Sequence, residues 1–231
     1  MKYIKLYESF EDIDSICKKY NIENYTINSD GTVDVDGDVY LANKHLTKLP
    51  LKFGKVTGYF HFPENKLTTL VGSPQSVGSS FDCSYNNLKS LEFCPQSVGG
   101  DFYCSRNKLT SLEFSPQSIG GYFNCGYNEL TTLEGCPKSV GGDFYCSKNK
   151  LNDLYGFPEF FDREVYYIDN SVTEILDLFN TYRLGKVIDL INEYGVIQKD
   201  GKLVILDRLE EVFHTLNMEI PEINLKNYEV Y

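Results

Sequence analysis

The sequence contains no tryptophan, two methionines and three histidines (His45, His61 and His214), and no stretch approaches the roughly 18 consecutive apolar residues that a membrane-crossing helix needs. Basic residues are also short, 22 Lys and Arg against 33 Asp and Glu, for a net charge of -11 and a pI near 4.8. That balance excludes broad binding to nucleic-acid backbones, which depends on Lys and Arg displacing counterions. Paired C-x2-4-C motifs are missing, so the seven cysteines do not read as a zinc site. An odd cysteine count without short pairings also argues against a disulfide framework. There is no P-loop, dinucleotide fingerprint or H-E-x-x-H. Residues 1–12 carry Glu8, Glu11 and Asp12 where a secretory signal would be apolar, and the expectation is a chain kept in a cytosol.

What the chain does have is 42% apolar residues and an aromatic set of 18 Tyr and 15 Phe, enough to bury a core. These residues recur. Leu46, Leu67, Leu88, Leu109, Leu130 and Leu151 are 21 apart, as are Leu49, Leu70, Leu91, Leu112, Leu133 and Leu154. Asn65, Asn86, Asn107, Asn128 and Asn149 form a third register, and Val56, Val77, Val98, Ile119 and Val140 a fourth. Phe60, Phe81, Phe102, Phe123 and Phe144 form a fifth, and Pro74, Pro95, Pro116, Pro137 and Pro158 a sixth. A unit this short has no room for a full helix and cannot bury its own apolar side chains, whereas stacked copies share a continuous core.

Within a unit, Asp101-Phe102-Tyr103-Cys104 alternates with the period of a strand, Phe102 and Cys104 inward, Asp101 and Tyr103 outward. The Gly pairs before each strand are expected to permit tight, positive-φ corners. The Asn register is expected to be a buried ladder pairing backbone groups at each corner. Cys83, Cys104, Cys125 and Cys146 share one inward register and read as small buried side chains. Register arithmetic adds an incomplete rung at Val39, Leu41 and Asn43, and a last one at Phe161, Val165, Tyr167, Asn170, Val172 and Ile175.

The chain therefore reads as a mainly β solenoid of seven rungs (residues 38–175) between a small N-terminal α/β cap (1–37) and a C-terminal α+β domain (176–231). In the cap, Ser9 to Tyr20 reads as a helix with Asp12 at the capping-box position, followed by a hairpin around Asp30-Gly31. Asp34, Asp36 and Asp38 lack the glycine and glutamate spacing of a calcium loop. In the C-terminal part, Ser171 to Glu174 reads as a capping box opening a helix to about Leu184, with Gly185 ending it and Lys186 to Tyr194 as the next helix. A hairpin around Asp200-Gly201 and a helix from Asp207 to Leu216, with Glu210 at the box position, complete it. Residues 162–231 hold 7 basic and 14 acidic side chains, so most of the negative charge belongs to this end.

Phe102, Cys104, Asn107 and Leu109, repeated every 21 residues, resemble the L-x-L-x-x-N-x-L core of leucine-rich repeats. The short, helix-free unit is similar to the type found in bacterial effectors and in bacterial and bacteriophage proteins. Phe and Cys stand where Leu is usual, and a Gly pair precedes the strand. Effector ubiquitin ligases of this repeat type carry a separate catalytic Cys domain; no such segment is seen here, so that activity is not implied. Met1 to Glu8 resembles the N-terminal sequences that direct proteins into tailed-phage heads, Leu6-Tyr7-Glu8 having the L-x-E form that their protease cleaves.

The outward positions vary while the core does not: Tyr59 and His61; Asp82 and Tyr85; Asp101, Tyr103 and Arg106; Tyr122, Asn124 and Tyr127; Asp143, Tyr145 and Lys148; and Tyr166. Tyr and Arg carry binding energy at protein interfaces because they combine area with a polar tip. The expectation is a non-enzymatic module gripping a protein partner on this face, with no cofactor, no metal and no membrane. The resemblances point to a phage protein acting on a host factor, such as a defence component, in the bacterial cytoplasm. The alternative is a protein that sequesters a small ligand or nucleotide in a pocket where the solenoid meets the C-terminal domain. His61 is expected beside Asp82, with no nucleophile placed to complete a triad.

Overall fold

The computed structural model describes residues 12–179, 184–198 and 201–231. The 21-residue winding is present: Phe102 pairs with Phe123 and Val98 with Ile119 on neighbouring coils. One parallel sheet runs Val39–Tyr40, Phe60–His61, Phe81–Asp82, Phe102–Tyr103, Phe123–Asn124, Phe144–Tyr145 and Val165–Tyr166. These seven strands, the phenylalanine ladder, are the expected rungs and bound about six turns of a β-solenoid.

The Val register forms a second ladder that the sequence left unassigned. It comprises Tyr25–Ile27, Val33–Val35, Phe53–Val56, Ser76–Val77, Ser97–Val98, Ser118–Ile119, Ser139–Val140 and Phe160–Phe161. Its strands from Ser76–Val77 to Ser139–Val140 each hold a single buried residue, Val or Ile between a more exposed Ser and Gly, so the alternation by which strands are read is missing. The hairpin expected around Asp30-Gly31 is there, with Tyr25 opposite Val35. Its second strand continues into the ladder, Val33 beside Phe53 and Val35 beside Val56, so the hairpin closes the stack by extending its sheet.

Between the ladders Phe60, Phe81, Phe102, Phe123 and Phe144 are fully buried, with neighbouring ring centroids 5.1 to 6.0 Å apart. Each such side chain contributes about 1.5–3 kcal/mol by burial. The Asn ladder is as expected. Asn107 accepts from Leu88 N–H at 3.0 Å and donates to the carbonyls of Cys83 at 3.0 Å and Cys104 at 3.2 Å. Asn86, Asn128, Asn149 and Asn170 repeat the arrangement. The residue before each ladder Asn is left-handed: Glu64, Tyr85, Arg106, Tyr127, Lys148 and Asp169 have φ between 52° and 59°. Such a backbone costs about 1 kcal/mol or more for a non-glycine residue, and the Asn bonds on either side hold it in place.

The Gly pairs have a different reason from the one expected. None of Gly99, Gly100, Gly120, Gly121, Gly141 and Gly142 has a positive φ. A Cβ on Gly99, Gly120 or Gly141 would instead stand 2.2 to 2.4 Å from the carbonyl oxygen of the glycine one coil below. Close approach of stacked backbones, not corner geometry, demands glycine there. The Asp34, Asp36 and Asp38 run is likewise absorbed by stacking: Asp34 accepts from Lys55 N–H, Asp36 from the Thr57 hydroxyl and Asp38 from Tyr59 N–H, each 21 residues on.

The ends correct several expectations. The first helix is Ile13–Tyr20, and Asp12 is its cap, accepting from Ser15 N–H at 2.7 Å. Ser9 and the segment from Met1 to Glu8 lie outside the described residues. The second helix is only Thr173–Leu176 and has no side-chain cap. The last coil claims the residues of the supposed capping box: Val172 and Ile175 are buried in the core, the Thr173 hydroxyl accepts from Asn170 N–H and donates to Tyr167 O, and Glu174 accepts from Asn227 N–H. Gly185 does not end a helix; it lies inside the next one, Leu184–Glu193. Around Gly201 the chain turns back so that Ile197 meets Val204, as expected, while Asp200 lies outside the described residues. Unforeseen is the parallel pairing of Leu203–Val204 with Glu229–Val230. The last helix, Leu206–Thr215, starts from Ile205 without a side-chain cap, so Glu210 closes no box. One continuous set of buried apolar side chains runs from Cys17 to Tyr228. Among the described residues no helix is long and apolar enough to cross a membrane.

All seven cysteines are buried free thiols. Burial pushes Cys94 and Cys146 up to about 12 and holds Cys83, Cys104, Cys125 and Cys136 well above the ordinary thiol range. Since the thiolate is the reactive form, a disulfide reagent at pH 8 is expected to leave the native protein unmodified and to titrate all seven thiols once urea unfolds it. Rapid labelling of more than one thiol without denaturant would contradict the packing.

Asp153 is a buried carboxyl whose pKa is raised, chiefly by burial; its bond from Tyr155 N–H opposes the shift and the charge of Glu134 adds to it. A carboxyl with a folded pKa above its unfolded one destabilises the fold above that folded pKa, and the penalty fades as pH falls to the ordinary carboxylate range. Asp153→Asn, which keeps the acceptor oxygen, is expected to raise the urea midpoint at pH 7 and to lose that gain in acid. An equal gain at both pH values would argue against this account.

Candidate functional site

The outward side chains of the phenylalanine ladder form three rows. Strand geometry places Tyr40, His61, Asp82, Tyr103, Asn124, Tyr145 and Tyr166 in register, each one coil from the next. The row before the inward Phe carries Tyr59, Asp101, Tyr122 and Asp143, and the left-handed row carries Tyr85, Arg106, Tyr127 and Lys148. All fourteen side chains singled out in the sequence thus lie on one face, but they play different parts.

The aspartates are partly structural. Asp101 accepts from Tyr122 N–H at 2.8 Å, and Asp143 from Glu164 N–H at 3.2 Å, each tying its coil to the next. The same carboxylates take the hydroxyls of Tyr103 at 2.9 Å and Tyr145 at 3.1 Å, as Glu164 takes that of Tyr166 at 2.7 Å. Burial first and then the Asp101 bond raise the Tyr103 hydroxyl, and the Glu164 bond pushes Tyr166 up to about 12. The hydroxyls are thereby tethered to neighbouring carboxylates and stay neutral at pH 7. The Tyr122 and Tyr145 rings meet edge-on at 6.4 Å, and Tyr145 stacks on Tyr166 at 4.4 Å.

The left-handed row has a different character. The Arg106 guanidinium lies between two rings, 3.8 Å from the centroid of Tyr127 and 4.9 Å from that of Tyr85. Lys148 sits 5.6 Å from the Tyr127 centroid and is paired with Asp169. Such cation–ring contacts are worth about 0.5–1 kcal/mol at exposed sites and keep the long side chains extended over the face. Tyr85, Arg106, Tyr127 and Lys148 are all exposed. A shallow cavity of ≈ 350 Å³ between this row and Asn124 and Tyr145 is floored by Ser105, Gly126 and Ser147. Asn124 spends its oxygen on Gly126 N–H, which leaves its amide N–H groups to face the cavity.

His61 meets Asp82 at 3.2 Å, as its register implied. Ser84 donates its hydroxyl to Asp82 at 2.5 Å, not to the imidazole, so the three do not form a base-activated nucleophile. Among the described residues no cluster of His, Cys, Asp and Glu could hold a metal ion. Tyr40 belongs to the face but was missed: it is 55% exposed, its ring meets His61 at 5.9 Å, and its hydroxyl donates to Asp38. Its place 21 residues before His61 was the available signal, hidden because the first rung read as incomplete. Where the last coil meets the helix Leu184–Glu193 there is a cleft of ≈ 540 Å³ lined by Phe161, Arg163, Tyr166, Tyr167, Ile168 and Leu184 among others.

Comparison with protein-family models, curated proteins and solved structures finds no match.

Proposed function

We propose that this chain is a solenoid of the leucine-rich-repeat type that binds a protein partner on its Tyr-rich face. The observation that carries the reading is the exposed Tyr85-Arg106-Tyr127-Lys148 row beside the mutually packed Tyr122, Tyr145 and Tyr166 rings. The row's side chains contribute little to the core, yet they are arranged as a continuous aromatic and cationic strip. Rigid aromatic rings and a pre-extended Arg lose little entropy on binding. The Asn ladder supports the repeat type, since it ties each coil to the last by the regularly spaced Asn that the resemblance implies. The resemblances to phage sequences favour a host factor as the partner, met in the bacterial cytoplasm.

Arg106→Ala with Tyr127→Ala, and separately Tyr103→Ala, Tyr122→Ala and Tyr145→Ala together, are expected to weaken partner capture at least 100-fold, about 2.7 kcal/mol. Melting temperatures should change little, because the rings are not core. Quantitative affinity purification from host lysate followed by calorimetry with the captured protein checks this; capture indifferent to both variants would sink the proposal. The cleft beside Leu184 favours a second reading, a small anionic ligand near Arg163. A thermal-shift response to nucleotides that disappears in Arg163→Ala would support it over the first.

A further inference from the structure

The turn after the second Leu register closes alike in successive coils, the N–H groups of Ser73, Cys94, Ser115 and Cys136 donating to the carbonyls of Leu70, Leu91, Leu112 and Leu133. Its third residue is left-handed each time: Gly72 at φ +96°, Phe93 at +69°, Phe114 at +73° and Gly135 at +85°. Glycine suits such a position because it has no Cβ to clash, and a bulky aromatic there is an outlier. The two phenylalanines gain little burial in return, being 53% and 48% exposed while the Phe of the ladder are fully buried. Strain kept at an exposed side chain marks a position held for contact with something else.

Beside them Glu92, Glu113 and Glu134 occupy the preceding turn position on three successive coils, all exposed and, among the described residues, none in an ion pair. Like charges stacked about 4.8 Å apart repel one another. The corner therefore carries two unfavourable columns side by side, one apolar and one anionic, both running along the stack.

We infer that this corner is a second docking surface, separate from the Tyr-rich face, and that its occupant is a basic amphipathic helix of a partner protein lying along the stack. Coils repeat at about 4.8 Å and a helix at about 5.4 Å per turn, so over three coils the two fall out of step by only about 1 Å. An extended strand, with same-side residues about 6.7 Å apart, would be out by about 4 Å. Lys or Arg one turn apart on the helix meet the three glutamates, and the adjoining apolar stripe meets Phe93 and Phe114.

The test uses the full chain and a fluorescein-labelled peptide of about five helical turns, long enough to be helical in water, with Lys on one stripe and Leu on the next. A scrambled peptide of the same composition is the control, and anisotropy at physiological salt is the readout. The helix-patterned peptide should bind at least tenfold tighter than the scrambled one. Phe93→Gly with Phe114→Gly should lose at least tenfold in affinity with the melting temperature held or raised, since glycine is what the turn favours. Glu92→Gln with Glu113→Gln and Glu134→Gln should lose as much, whereas the triple Tyr→Ala variant should bind as the parent does. Equal binding of both peptides, no binding by the parent chain at millimolar peptide, undiminished binding by the glycine variant, or a melting temperature several degrees lower in that variant would each overturn the inference.

Discussion

Asn107→Ala is expected to destabilise the solenoid by about 3–5 kcal/mol, among the larger effects available to a single side chain. The carbonyls of Cys83 and Cys104 would each keep one partner, because Asn86 also donates to the first and Asn128 to the second. The N–H of Leu88 would keep none in the ladder: its acceptor is the Asn107 oxygen, at a buried position. The cost is therefore one orphaned buried donor, two or three lost bonds, and a left-handed Arg106 no longer held from the following residue. For a chain of this size that corresponds to a fall in melting temperature of about 10 °C or more. Coils contact mainly their neighbours, so a break at the middle of the stack should also broaden the transition by uncoupling its halves. Urea melts followed by far-ultraviolet dichroism would measure it. A loss below about 1 kcal/mol would mean that the Asn ladder is not what joins the coils.

Gly120→Ala is expected to be nearly as damaging for the opposite reason, too much atom in place of too little bonding. The new Cβ would lie 2.2 Å from Gly99 O, and that oxygen belongs to a backbone fixed by its own pairing in the valine ladder. Neither strand can retreat without breaking bonds to the coil beyond, so the overpacking cost should reach about 3 kcal/mol. The series of side chains separates this account from one based on corner geometry. If left-handed backbone were the need, Asn would be tolerated better than Ala. If close approach is the need, Ala is the mildest replacement and Asn is worse. Thermal melts of Gly120→Ala and Gly120→Asn decide between the two.

How far the fold could be read in advance depended on whether a feature repeats. Phe102, Cys104, Asn107 and Leu109 were placed correctly because four or more copies at one spacing leave a single way to stack. The valine ladder escaped because each coil offers it one buried residue, Val98 between exposed Ser97 and Gly99, with no second apolar residue two positions on such as Cys104 supplies after Phe102. At the ends, where nothing repeats, local signals misled. Ser171 to Glu174 has the letters of a capping box, but the last coil needs Val172 and Ile175 for its core and takes the Thr173 hydroxyl for its turn. The pairing of Leu203–Val204 with Glu229–Val230 joins residues too far apart for any short-range pattern.

The candidate site divides in the same way. That Tyr103, Arg106, Tyr122, Tyr127 and Tyr145 share a face follows from register and strand period alone. That Asp101 and Asp143 are coil-to-coil ties, and that Phe93 and Phe114 stand exposed on left-handed backbone, does not.

The division of aromatics into inward Phe and outward Tyr describes most of the molecule but not all of it: Tyr167 and Tyr228 are buried, and Phe93, Phe114 and Phe160 are exposed. By itself the sequence determined the 21-residue period, the stacked solenoid, its buried Asn and Cys files and the composition of its open face, because periodic burial admits one repeating solution. Only the tertiary structure decided why the glycines are there, which carboxylates are occupied and which side chains stand free. Those depend on the distance between neighbouring coils and on backbone angles, and neither is a property of residue order.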